Sequence, residues 1–434
     1  MRKFLTLAAA AVLLTAGGAM AQTTPTAAPA ATAAATSPGL RTAWDDYYKA
    51  LDEARAQMEA TPRFIQHPEV RAKAYHTLIE MQAMAYNFVV GPRMTNPRIY
   101  KNLSWQTNMY TLGQNGPDWD YRNLFVDGKQ TYKLKGKLNG SKLGLIQVFN
   151  GVFGDPGVKT VGNYNLSEMK TNAEGTFEIT VGGPKQDGNW IALDPAVDYQ
   201  YLFFRFAMAD WNDAPAEVTV ERTSQIAPDQ YAADEFDEAA VAKRITRAAN
   251  FVRYITKIFN VDLLDNYIKG AKGVNKLSYR PGTTDGEVGS PSSEYALGTF
   301  DLKDDEALVL TWPKMPNGVY WSVQLGDVWS RSLGFWERHS SVNMAEAKLD
   351  SDGKLRMVIT QKDPGVANWL DPASRRQGTV VFRNYVAKSP VVPTAKLVKT
   401  ADLPKLLKGA AKVTPQEREA DLAHRRAGLA KNYQ

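Results

Sequence analysis

Asp371, Arg375 and Arg376 stand close together between a tight turn and a run of strand-forming residues. A carboxylate beside two guanidiniums can orient a small anion through charge-assisted, bidentate hydrogen bonds. The three lie in residues 363–383, DPGVANWLDPASRRQGTVVFR. Asp363-Pro364-Gly365 reads as a turn, because Pro presets φ and Gly accepts the positive φ that follows. Thr379 onward is β-branched and aromatic, which suits a strand. Trp369, next to Asn368, offers a flat face near the loop. Upstream, Trp321, Trp329, Phe335 and Trp336 gather with Arg331 and Arg338, and Asn343 follows. Indole faces beside guanidiniums can hold a sugar, a uronic acid or an aromatic acid. The candidate ligand-binding set is therefore Trp329, Arg331, Arg338, Asn343, Trp369, Asp371, Arg375 and Arg376. The plainer reading of the same residues is a loop stapled by ion pairs and a core filled with Trp.

Other chemistries are less well supplied. Glycan cleavage needs two acids across a bond; among Asp327, Glu337, Asp363 and Asp371, the acid/base candidates are Asp363 and Asp371. His339-Ser340-Ser341 brings nucleophile and base types side by side. Neighbours on a strand point to opposite faces, however, and no GxSxG elbow is present. The chain has no Cys and only four His, at 67, 76, 339 and 424, none at metal-ligand spacing. Neither a zinc centre nor a thiolate nucleophile is expected, and no cofactor is called for.

The elements that must hold these residues can be read in order. Residues 1–21 have the pattern of a secretory signal peptide. Arg2 and Lys3 precede an apolar stretch, and Ala19-Met20-Ala21 is a small-x-small cleavage site. The expected location is the periplasm or outside the cell, with no membrane span after cleavage. Removing Arg2 and Lys3 takes the formal charge from +6 to +4. No Lys/Arg run resembles a nucleic-acid stripe, so no nucleic-acid partner is expected. An exported chain without Cys depends on burial rather than disulfides. Residues 22–39 are an Ala/Thr/Pro-rich tether. Residues 40–100 carry helical spacing, with Trp44, Tyr47, Tyr48, Leu51 and Ala54 in one set and Val70, Ala74, Leu78, Met81, Ala85 and Phe88 in another. Residues 101–230 hold short alternating runs broken by Asp127-Gly128, Asn139-Gly140 and Gly182-Gly183, the pattern of a first β-domain. Leu202, Phe204 and Phe206 point inward there, leaving Phe203 and Arg205 on the other face. A linking helix covers 231–270, a second β-domain 271–396, and a polar helical tail 397–434. Thr414 and Glu417 form a capping box at the start of the tail.

The two β-regions repeat one another. Gln147 pairs with Gln324, Gly175 with Gly353, Asn189-Trp190 with Asn368-Trp369, and Phe204-Arg205 with Phe382-Arg383, at offsets of 177 to 179 residues. A near-constant offset is what duplication of one supersecondary unit produces. Shared residues then read as scaffold, and the unshared loop with Asp371, Arg375 and Arg376 as the place for function.

Ser341-Val342-Asn343, Asp352-Gly353 and the run from Asp363 to Asp371, DPGVANWLD, resemble the C-terminal part of the bacterial domain-of-unknown-function family DUF1214, exported members. The upstream GNW and FFRFAMADW segments and the Arg-rich closing helix are similar to its longer members. The resemblance implies a β-rich extracytoplasmic or soluble fold and no assigned activity. The family pattern often has Gly-His after the Trp-Leu-Asp segment; here Ser374-Arg375 stand instead, so no histidine base is available there.

The expectation is thus a mainly β protein with α elements: two β-sandwich or jelly-roll-like domains in tandem, with N-terminal, linking and C-terminal helices. The second β-domain is expected to bind a small anionic or carbohydrate-like ligand. The alternatives are an enzyme, hydrolase or lyase, degrading carbohydrate or aromatic compounds with an Asp acid/base, and an envelope interaction protein.

Overall fold

Helix-forming sequence opens the described chain. The computed structural model describes residues 38–101, 113–226, 237–281 and 292–433. The expected signal peptide, residues 1–21, and nearly all of the expected tether, residues 22–39, lie outside them. Helix α1 (Pro38–Glu59) buries Ala50, Ala54 and Met58, four residues apart, as a period of 3.6 demands. Trp44 and Tyr48 share the expected spacing but stand about half exposed, at 51% and 54%. After the short α2 (Pro62–Gln66), α3 (Arg71–Ala85) buries Ala74, Met81 and Ala85. A single wide turn, Tyr86–Val90, carries Phe88 into the same core before Gly91-Pro92 stops the helix.

Nine strands follow: β1 (Tyr100–Lys101), β2 (Trp119–Val126), β3 (Tyr132–Lys137), β4 (Leu143–Phe149), β5 (Thr160–Asn165), β6 (Thr176–Val181), β7 (Trp190–Ile191), β8 (Gln200–Ala207) and β9 (Glu217–Arg222). Then come α4 (Glu238–Ile255), a wide turn over Thr256–Asp262, and α5 (Leu263–Ala271). Asp237 caps α4 by accepting from the Ala240 amide. Nine more strands complete the β structure: β10 (Leu277–Arg280), β11 (Ser293–Asp301), β12 (Glu306–Trp312), β13 (Tyr320–Gly326), β14 (Ser341–Asn343), β15 (Leu355–Ile359), β16 (Trp369–Leu370), β17 (Gln377–Tyr385) and β18 (Thr394–Lys399). The chain closes with α6 (Leu403–Leu406) and α7 (Pro415–Tyr433).

The strands make four sheets, paired as two tandem sandwiches. In the first, β1-β2-β8-β4-β5 faces β7-β6-β3-β9; in the second, β10-β11-β17-β13-β14 faces β16-β15-β12-β18. The two orders are the same once nine is added to every strand number. Each sandwich even has one parallel pair at the same place, β6 with β7 and β15 with β16. Gly175 and Gly353 turn the equivalent hairpins at φ +76° and +77°, where a Cβ would be strained. One supersecondary unit therefore occurs twice. The first core packs Leu124, Ile146, Leu202, Phe204 and Phe206 against Leu134, Phe177 and Ile179. The second packs Val323, Leu325, Val380 and Phe382 against Leu308, Leu310, Met357 and Ile359. Truncating one of the central Phe residues to Ala costs about 3–5 kcal/mol.

Both five-stranded sheets are covered on their second faces too, which is why β2 and β4 are buried along their whole length. Helices α1, α3 and α4 cover Phe125, Phe149 and Tyr201 of the first sheet. Tyr267 of α5 covers Leu297 and Val381 of the second. Elsewhere the two sheets meet each other directly. Trp119 lies 4.6 Å from Tyr385 and 5.0 Å from Tyr320, ring centre to ring centre. Among the described residues no helix is long and apolar enough to cross a membrane.

The C-terminal helix is more than the solvated tail its composition predicts. Thr414 and Glu417 form the expected reciprocal cap. Beyond it Arg425 is fully buried, donating to the Phe335 and Ser341 carbonyls and pairing with Glu346 and Asp421. A long guanidinium stem covers apolar surface while its head finds fixed acceptors.

Candidate functional site

The loop with Asp371, Arg375 and Arg376 is a tie between elements. Asp371 is buried, accepts from the Ala373 amide at 2.7 Å and pairs with Arg338 at 3.2 Å. Arg375 donates to the Ala373 carbonyl, two residues back. Arg376 is exposed and pairs with Asp301 at 3.0 Å. Ala373 and Ser374 both take positive φ, +55° and +61°, so the loop is held tightly by these bonds.

The expected aromatic wall is taken up elsewhere. Trp329 has no exposed surface: it packs with Met58, Ala74 and Leu264 and donates to the Val70 carbonyl. It therefore cannot stack on a ligand at the loop. Arg331 is likewise buried in a two-pronged pair with Glu80 of α3. Asn343 donates to Asp118 and to the Ala209 carbonyl, strapping the second sandwich to the first. Trp369 donates to the Thr360 carbonyl and is covered by Arg418, 5.1 Å from its ring centre.

The Asn-Trp pairs explain themselves by comparison of the halves. Asn368 donates to the Lys348 and Arg356 carbonyls and accepts from the Lys348 amide. Asn189 does the same with Lys170 and Glu178. Trp190 donates to Gly182 as Trp369 does to Thr360. Each pair closes the parallel edge of its sandwich.

Asp363 pairs with Arg418 through both oxygens, at 2.6 and 3.0 Å. It borders a surface concavity of about 480 Å³, with Val366, Leu403, Pro404 and Leu407 as its apolar floor. Two of the acids of that concavity are paired, Asp363 with Arg418 and Asp305 with Lys399.

The unbalanced charge lies at the seam between the sandwiches. Register places Arg205 of β8 beside Tyr121 of β2 and Leu145 of β4. The equivalent Arg383 of β17 lies beside Tyr295 of β11 and Ser322 of β13. Both arginines point away from their own cores and are more than nine-tenths buried, at 7% and 8% exposure. Arg383 donates to the Gln324 side chain and to the Gln114 carbonyl. Arg205 makes no side-chain hydrogen bond or ion pair to a described residue, and its buried Nη1 is orphaned. Its guanidinium lies over Phe203, 4.2 Å from the ring centre.

Both guanidiniums act on the same two phenols. Burial raises Tyr121 and Tyr385 above the ordinary tyrosine range, and Arg205 and Arg383 both pull against that rise. Burial opposes the Arg383 charge, and the groups that support it are Tyr121, Tyr385, Tyr295 and Tyr267. Among the described residues no carboxylate pairs with either arginine. A buried charge without a partner costs several kcal/mol, and two of like sign in one neighbourhood make an anion the natural complement.

Sequence reasoning placed Arg205 on the outer strand face and matched it to Arg383, then set both aside as shared scaffold. The signal that marks them is a charge inside an otherwise apolar, doubly covered strand, at the same position of both repeats. Nothing in the sequence says that the two outer faces meet.

Among known proteins, the family described as "Protein of unknown function (DUF1254)" matches residues 275–401; the expected DUF1214 is not the family that matches. An uncharacterised protein from Burkholderia cenocepacia has a similar solved structure, with a TM-score of 0.73 and 26% identity over 84% of this chain and 99% of that one. A protein from Vibrio parahaemolyticus aligns over 75% of this chain and 98% of its own, at 13% identity and a TM-score of 0.40. No curated protein matches the chain.

Proposed function

We propose that this protein binds a small organic anion at the seam between its two sandwiches, with Arg205 as the residue that grips it and Arg383 as a fixed second charge. The observation that carries the reading is the orphaned, buried Nη1 of Arg205, in a neighbourhood with two guanidiniums and, among the described residues, no carboxylate paired with either. The contact with Phe203 offsets only part of the cost of burying this charge. A bound carboxylate converts the desolvation penalty into a charge-assisted pair in a low dielectric. The anionic-ligand expectation is kept, and the second β-domain contributes Arg383 rather than the loop at 371–376.

Acid/base hydrolysis is a weaker reading. Asp363 and Asp371, its best candidates, are each tied to an arginine, Arg418 and Arg338. The test of binding is a thermal-shift screen of the purified chain against small carboxylates, uronates and phosphate. Carboxylates should raise the melting temperature, and Arg205→Leu should abolish the rise. A flat response to every anion sinks the reading.

Export to the periplasm or beyond belongs to the same proposal. It is supported by the charged start, apolar core and Ala19-Met20-Ala21 site of residues 1–21. Amino-terminal sequencing of protein recovered from an osmotic-shock fraction should begin at Gln22. We also read DPGVANWLD as tying the C-terminal third to DUF1214, within the stretch that matches DUF1254.

A further inference from the structure

We infer that the anion held at Arg205 is an aromatic carboxylate. This rests on the seam reading above and deepens it. The outer face of the first sheet carries a stacked column of rings, covered by the helices at one end and the opposing sheet at the other, and partly exposed at Phe203. Trp119 and Tyr121 lie 6.0 Å apart at 18°, Tyr121 and Phe203 5.4 Å apart at 19°, and Phe203 and Tyr201 5.6 Å apart at 28°. Phe125 and Phe149 continue it beyond Tyr201. Strand register builds this column, because Tyr121 is cross-strand to Arg205 and Asn123 to Phe203, with rings alternating along adjacent strands. Phe203 is only half-buried, as is Tyr295 on the opposing sheet.

The guanidinium fixes how a ligand must lie. A carboxylate pairs with arginine in the plane of the guanidinium, and the central carbon of the Arg205 guanidinium lies 4.2 Å from the Phe203 ring centre. A ring conjugated to the carboxylate shares its plane. An aromatic acid paired with Arg205 therefore brings a flat ring beside Phe203, where offset stacking is available. A saturated ring has no such coplanarity.

The polar inventory disfavours a sugar. Few side-chain polar atoms of this face lack partners among the described residues, with Arg205 Nη1 and Trp119 Nε1 as donors and Asn163 Oδ1 as an acceptor among them. Tyr121 already accepts from the Gly116 amide, Tyr201 donates to Asn123, and Asn163 Nδ2 donates to Ser292. A hexuronate carries several hydroxyls that would lose water here without replacement, each at a cost of the order of a hydrogen bond. An aromatic carboxylate asks for one charge and flat apolar walls.

The test is calorimetric titration of the purified chain with benzoate, cyclohexanecarboxylate, acetate and galacturonate. Benzoate should bind roughly three- to tenfold tighter than cyclohexanecarboxylate, in line with the worth of stacking, and galacturonate weakest of the ring acids. Phe203→Leu should lose the preference for benzoate while keeping acetate binding; Phe203→Tyr should retain the preference and guards against a variant that fails to fold. Equal affinity for the two six-membered acids, or tighter galacturonate, overturns the aromatic inference and leaves the anion reading standing. Silence from all four overturns both.

Discussion

Arg205 is the residue on which the functional reading turns, and its energetics have a sign that stability can report. An unpaired buried charge destabilises the empty protein, so replacing it with a neutral group of similar bulk relieves the penalty. Arg205→Met should raise the melting temperature of the ligand-free chain while abolishing anion binding. A structural arginine would behave in the opposite way on the first count. Two other buried groups set the response to acid. Burial, reinforced by Arg425, lowers His339 to about 4, below the ordinary 6.5. Its contribution is present above pH 6.5 and is lost as pH falls toward 4. Burial raises Asp118 to about 6, above the ordinary 3.8, against the pull of the Asn343 amide. Its protonated form favours folding at low pH, and that contribution is lost as pH rises from about 3.8 to 6. The two slopes oppose each other, each at about 1.4 kcal/mol per pH unit. Relative to the natural chain, removing either group should tilt the urea midpoints between pH 4 and 6. The midpoints should rise more steeply with pH in Asp118→Asn, and less steeply in His339→Asn, than in the natural chain.

At the scale of elements, the edge staples and the helix anchor carry the stability argument. Asn368 makes three backbone hydrogen bonds that close the β15–β16 edge. At about 1 kcal/mol each, Asn368→Ala should cost about 3 kcal/mol in chemical denaturation, and Asn189→Ala a comparable amount. Glu80 of α3 reaches Arg331 in the second sandwich, a pair with both partners buried. Glu80→Ala should cost about 3–5 kcal/mol because it strands the guanidinium, whereas Glu80→Leu with Arg331→Met should cost far less. Elements were also what the sequence told best. The runs at 307–312, 320–325 and 379–385 fall within β12, β13 and β17, because alternation and β-branching carry that information locally. Arg331 was misassigned to a binding surface, since its partner lies some 250 residues away and no local pattern records the pairing.

The whole molecule is a duplicated sandwich turned so that equivalent outer faces confront each other. The constant offset of the repeat was legible because it needs only order along the chain. How the halves are apposed was not, because that depends on which faces the helices leave uncovered. Duplication supplies two arginines at one position of the unit, and apposition brings them to one seam. Divergence then differentiates them: Gln324 and the Gln114 carbonyl occupy Arg383, while Arg205 keeps an unused donor. This view makes the seam, rather than either sandwich, the seat of recognition. The most direct measurement is a crystal of the chain soaked with 4-bromobenzoate and read at the bromine absorption edge. An anomalous peak should lie over the ring column beside Phe203, with carboxylate density on Arg205. A peak instead in the concavity floored by Val366 and Leu403, or none at the seam, contradicts the account.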